Sequence, residues 1–125
     1  MAFLAHLESV VTQVEGSVAC SVMGFDGIAV ETFQAPQQAD YASQVELSSA
    51  WVEYGNTLSQ LKTGAELLKA GAVSEVSVNT EKLITLMRMV TPEYFVVLAL
   101  RPEGNYGKGR YVLRVTAPKL KAELQ

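Results

Sequence analysis

The tightest constraint in this chain lies near its start, where Val14-Glu15-Gly16-Ser17 runs into Gly24-Phe25-Asp26-Gly27. Phe3, Leu4, Leu7, Val10, Val11 and Val14 carry helical spacing. Gly16, just beyond them, suits the left-handed conformation that stops a helix. Val18, Cys20 and Val22 then alternate with Ala19, Ser21 and Met23. Both sets are small or apolar, which predicts a strand covered on both faces. Gly24-Phe25-Asp26-Gly27 offers positive-φ positions for a hairpin, and Ile28 to Phe33 returns as the second strand.

Pro36 argues against continued pairing, and Asp40 is placed to cap a long helix running toward Leu68. One apolar row on that helix is Leu47, Trp51, Tyr54, Leu58, Leu61, Ala65 and Leu68; a second, roughly 120° around it, is Tyr41, Val45, Ser48, Val52, Gly55 and Ser59. Glu46, Ser49, Glu53, Asn56 and Gln60 fill the remaining, wet sector. The combined apolar sector is wider than the roughly 100° needed to lie on one sheet, so a second body is expected against the helix. Ser74 to Asn79 alternates and is the most polar strand, hence an edge. Leu83 to Val90 is strand four. Tyr94 to Leu100 is a continuous apolar run and so a central strand. A last helix starts near Tyr106, with Tyr111, Val112 and Val115 toward the core, and either stops near Ala117 or kinks at Pro118. Short turns between strands make the sheet largely antiparallel, with helices on both faces.

With 125 residues the chain is expected to be one domain over 1–125, able to bury a core without staples. Its 49% hydrophobic and 18% charged content excludes disorder. The formal charge is −3, and the ten basic residues are expected to form no patch and are not interleaved with aromatics on one face, so nucleic acid is not an expected partner. Cys20 stands alone and reads as a small buried hydrophobe. Met1 to His6 has no basic leader region or A-x-A site, and no apolar run approaches the ~18 residues of a membrane span. A cytoplasmic protein without a membrane partner is expected.

Chemistry is hard to place. His6 has no metal-ligating residue at useful spacing. Neither a G-x-S-x-G elbow nor a Walker A loop occurs. Gly104-x-x-Gly107-x-Gly109 admits a phosphate nest, but lacks the strand-to-helix setting of a dinucleotide site; the plainer reading is a helix start that permits close packing. Glu15, Asp26 and Glu31 read as a solvated turn. The expectation is a binding module, not an enzyme, with no cofactor and no metal.

Together, Val14-x-Gly16-x(7)-Gly24-x-Asp26-Gly27-Ile28, the long small-residue-rich helix, and Asn105-x-Gly107-x-x-Arg110 resemble the roadblock family of dynein light chains and bacterial Mgl-type regulators of Ras-like GTPases. The resemblance covers roughly Leu4 to Val115. It implies an α/β fold: a five-stranded antiparallel sheet between one long helix and two terminal helices, a profilin-like sandwich. It implies a homodimer in which third strands pair across a two-fold axis beside the long helices. Leu47, Trp51, Tyr54, Leu58, Glu75, Val76, Ser77 and Val78 are the interface residues this places. It also implies a Ras-like small GTPase bound across the paired helices, at Glu46, Ser49, Glu53, Asn56 and Gln60, in a motility or cell-polarity setting. Pro118 departs from the family's uninterrupted last helix. A small-ligand sensor of the PAS or GAF type is the alternative, and it requires a pocket with convergent polar groups.

Overall fold

The computed structural model describes residues 3–42 and 45–125. Helix α1 (Phe3–Gln13) buries Phe3, Leu7, Val10 and Val11 on one stripe, while Leu4 faces out. Gly16 takes φ 85° and ends it as expected. A Cβ on Gly16 would stand 2.6 Å from the Cα of Gly104, so two backbones touch here. The Asn105 N–H donates to the Glu15 carbonyl at 2.9 Å, and the Arg101 N–H to the Gly16 carbonyl at 2.8 Å. These bonds tie the end of α1 to the start of α4 (Tyr106–Leu124).

Strands β1 (Ser17–Gly24), β2 (Ala29–Gln34), β3 (Glu75–Asn79), β4 (Ile84–Thr91) and β5 (Tyr94–Leu100) form one sheet in the order β2-β1-β5-β4-β3. Every neighbouring pair is antiparallel. The apolar run of β5 sits at the centre and polar β3 at an edge, as their compositions predict. The β1–β2 turn holds Gly27 at φ 89°, and the Asp26 carboxylate accepts the Ile28 N–H at 3.0 Å. Alternation along β5 divides the core. Val96, Leu98 and Leu100 meet Leu7, Val10, Leu113 and Leu120 beneath α1 and α4, whereas Phe95, Val97 and Ala99 join Trp51 and Leu58 on the opposite face.

Three expectations need correction. The helix expected from Asp40 to Leu68 is broken: a 3-10 turn (Pro36–Gln38) leads into short α2 (Ala39–Ala42), and α3 (Leu47–Leu67) begins afresh. Glu46, at φ −95° and ψ 79°, is out of helical conformation, which interrupts the ladder there; Ser43 and Gln44 lie outside the described residues. Of the two outcomes expected at the end of α4, a stop near Ala117 is overturned, since the helix runs on through Pro118 to Leu124. Pro118 lies on the exposed side of the helix, and buried Thr116, Ala117 and Leu120 anchor the turns around it. Finally, Tyr111 and Val115 point outward, Tyr111 being 57% exposed. The stripe that packs is Gly109, Val112, Leu113, Thr116, Ala117 and Leu120. A Cβ on Gly109 would stand 2.8 Å from the Leu86 Cδ1, so this glycine lets α4 lie close on the sheet, the packing reading of the glycine-rich segment.

Candidate functional site

Helix α3 lies on the sheet by its first half alone. Trp51, Gly55 and Leu58 are its buried residues, and a Cβ on Gly55 would touch the Phe95 ring at 3.2 Å. Trp51 and Leu58 are 3% and 1% exposed within the single chain. They are core residues and have no surface left for a second copy, which corrects their place in the expected interface. Leu47 and Tyr54 are only partly covered. The Trp51 Nε1–H is buried with no hydrogen-bond partner among the described residues.

Beyond Leu58 the helix carries no buried residue, and Leu61, Leu67 and Leu68 are exposed, the last two at 80%. The tie from this half back to the sheet is Lys62. Its ammonium donates to the Pro92 carbonyl at 3.0 Å and lies 4.3 Å from the Phe25 ring centroid. Between the helix end and β4 opens a hollow of about 610 Å³ with Val73, Met89, Val90 and Pro92 in its walls. Its charged members, Lys62, Glu66 and Lys69, come from α3 and the turn after it and do not make a convergent polar set.

The wet sector stands as expected: Glu46, Ser49, Glu53, Asn56 and Gln60 are all exposed. On β3, Val76 and Val78 are half-buried, Ser77 is exposed, and the strand's outer side pairs with nothing among the described residues. Glu75 has a partner set that sequence reasoning missed. Its carboxylate accepts from Arg88 at 3.3 Å and from the Arg110 Nε at 2.8 Å, with a second Arg110 contact from Nη2. Hydrogen bonding to Glu75, then its charge, pushes the Arg110 guanidinium above its ordinary range. Asn105 caps α4 by accepting the Lys108 N–H at 3.1 Å. The Asn105-x-Gly107-x-x-Arg110 segment therefore starts a helix and pins it to the edge strand.

Other candidates carry structure only. Cys20 is fully buried, and that burial raises its thiol pKa well above the ordinary range, far from a reactive thiolate. His6 faces Glu123 at 3.8 Å. Among the described residues no group of three or more His, Cys, Asp and Glu is placed to hold a metal, and no helix is long and apolar enough to cross a membrane. One expectation about charge is overturned. Arg88, Arg110 and Arg114 line one hollow and Arg88, Arg114 and Lys121 the next, so four of the ten basic residues do form a patch.

No protein-family model matches the chain, and no curated protein matches it. Among solved structures it is similar to MglC from Myxococcus xanthus, at 64% identity over 98% of this chain and 99% of that one, with a TM-score of 0.70. A Roadblock/LC7 domain from Streptomyces avermitilis superposes with a TM-score of 0.79 at 12% identity, covering 98% of this chain and 97% of that one. The gliding protein MglB of Thermus thermophilus gives 0.81 at 14% identity, over 94% and 84%. The last two likenesses speak for the fold alone.

Proposed function

The chain belongs to the roadblock/LC7 family, through its likeness to MglC, and from that premise we propose that it is one non-catalytic regulatory domain over 1–125 that works as a homodimer and binds a small Ras-like GTPase. The observation that carries the reading is the uncovered half of α3, with Leu61, Leu67 and Leu68 exposed, taken with a β3 edge whose outer side pairs with nothing among the described residues. A second copy, applied by a two-fold axis, covers both at once. Leu47, Tyr54, Glu75, Val76, Ser77 and Val78 remain the contact residues from the original set, joined now by the three leucines. An interface on the order of 1,600 Å² is expected. The wet sector, Glu46, Ser49, Glu53, Asn56 and Gln60, supplies the GTPase platform, doubled across the axis. A PAS- or GAF-type sensor is not supported, because the hollow between the end of α3 and β4 is open and apolar and lacks converging polar groups.

Two measurements test this. Light scattering at tens of micromolar reports the dimer; a monomer refutes it. Surface-immobilised protein is then offered a Ras-like GTPase from the same cytoplasm in GTP-analogue and GDP forms. Tighter binding of the GTP form, with no hydrolysis by the chain alone, is expected. Glu53→Lys should slow association, most at low salt. If neither nucleotide form binds and a second roadblock-fold protein does, the GTPase assignment fails and the chain acts through a sister regulator.

A further inference from the structure

We propose that the groove between α4 and the β3–β4 edge docks a short, extended acidic segment of a partner protein. Charge is segregated in this chain. Helix α4 holds Lys108, Arg110, Arg114, Lys119 and Lys121 against one carboxylate, Glu123, while the rest of the molecule holds twelve of the thirteen acidic residues. At about 100° per residue, Arg110, Arg114 and Lys121 fall within about 40° of helical arc, so they form a row along one side. Arg88 of β4 faces that row. Two adjoining hollows, of about 400 and 290 Å³, share Arg88 and Arg114 in their walls; the first also takes in Arg110 and the second Lys121. The cations therefore line a trough and do not stand on a convex face.

Glu75 shows what the trough accepts. Its carboxylate sits at one end and takes hydrogen bonds from both Arg88 and Arg110. Further along, Arg114 and Lys121 make no ion pair among the described residues, so this half has cationic donors to spare. The Tyr111 ring, with the Arg114 guanidinium 5.5 Å from its centroid, stands exposed on the same helix and offers an apolar wall. From Arg110 to Lys121 the row is about 16 Å long, which an extended peptide covers in about five residues. Its size also decides against larger polyanions. Beyond a Debye length of about 8 Å a short peptide no longer feels the acidic remainder of the chain, whereas a duplex or an anionic bilayer is spread over it and repelled.

The test uses the full chain, a fluorescein-labelled oligoglutamate peptide, and backbone amide NMR. Amide shifts are expected on Gly107 to Lys121 and around Arg88, with affinity falling steeply with salt. Arg114→Glu with Lys121→Glu should weaken the peptide about tenfold or more. Both side chains are exposed and stand outside any ion pair among the described residues, so the fold should hold; Arg114→Gln with Lys121→Gln repeats the test with a milder change. Glu53→Lys, on α3, should leave peptide binding unchanged, which separates this result from any failure of the GTPase reading. Shifts mapping elsewhere, or an affinity indifferent to both double variants, would overturn the proposal. So would tighter, α4-dependent binding of phosphatidylserine vesicles or duplex DNA than of the peptide.

Discussion

Replacing Gly16 by alanine should cost about 2–4 kcal/mol of folding free energy, and the figure can be assembled from the structure. At φ 85° an L residue bears about 1–2 kcal/mol of strain that glycine avoids. The new Cβ would meet the Cα of Gly104 at 2.6 Å and its N at 3.2 Å. Those are backbone atoms, which no rotamer change can move aside, so the end of α1 must part from the start of α4 at about 1–3 kcal/mol. The stiffer unfolded chain returns about 0.4–1 kcal/mol. Urea denaturation at fixed protein concentration, followed by circular dichroism, measures the sum; the melting temperature should drop on the order of 10 °C. Gly104→Ala attacks the same contact from the other side, with its Cβ 2.9 Å from the Glu15 carbonyl oxygen. The double variant should therefore cost less than the two singles added, because one separation relieves both. Gly107→Ala is the control: its Cβ would meet nothing within 4 Å, and it should be neutral or slightly stabilising. A Gly16→Ala protein within about 0.5 kcal/mol of the parent would refute the reasoning.

Gly27→Val should cost about 1–3 kcal/mol through its φ of 89°, and Asp26→Ala should be milder, losing only its bond to the Ile28 N–H; denaturation curves decide, and full stability with lost partner binding would make the turn functional instead. Trp51→Phe removes a buried N–H that has no partner and should fall within about 1 kcal/mol of the parent, whereas Trp51→Ala should cost about 3–5 kcal/mol; equal losses would mean the N–H is satisfied after all. Cys20 should resist iodoacetamide in the native protein at neutral pH and react at once in guanidinium, since burial holds it as the thiol; rapid native labelling, read by mass, would contradict that.

Much of the architecture is legible because it follows from residue chemistry at single positions. Gly16 and Gly27 announce their positive φ, and β5 announces its central place by lacking polar residues. Each misreading has a physical cause. An apolar arc on a helix looks the same whether it meets its own sheet or another molecule, so the pattern assigns Trp51 and Leu58 to a partner when they belong to the core. On α4 the packing positions are partly Gly109, Thr116 and Ala117, which a search for large hydrophobics passes over in favour of Tyr111 and Val115. The break before Leu47 carries no glycine or proline to mark it. The ion-pair set on Glu75 joins residues 13 and 35 positions away, a distance no local pattern reaches.

Helix α3, held down over half its length, is mechanically a cantilever. Trp51, Gly55 and Leu58 form the clamp, the last nine residues are the free arm, about 14 Å long, and Lys62 is a single guy-line near the clamp. Covering Leu61, Leu67 and Leu68 would release on the order of 5 kcal/mol, close to the roughly 5.5 kcal/mol that turns a two-state equilibrium from one side to the other. The body that covers those leucines thus gains leverage over the angle of the free arm. Glu53 lies on the clamped half and Gln60 on the free arm, so what is seated on those leucines bears on Gln60 and leaves Glu53 where the sheet holds it.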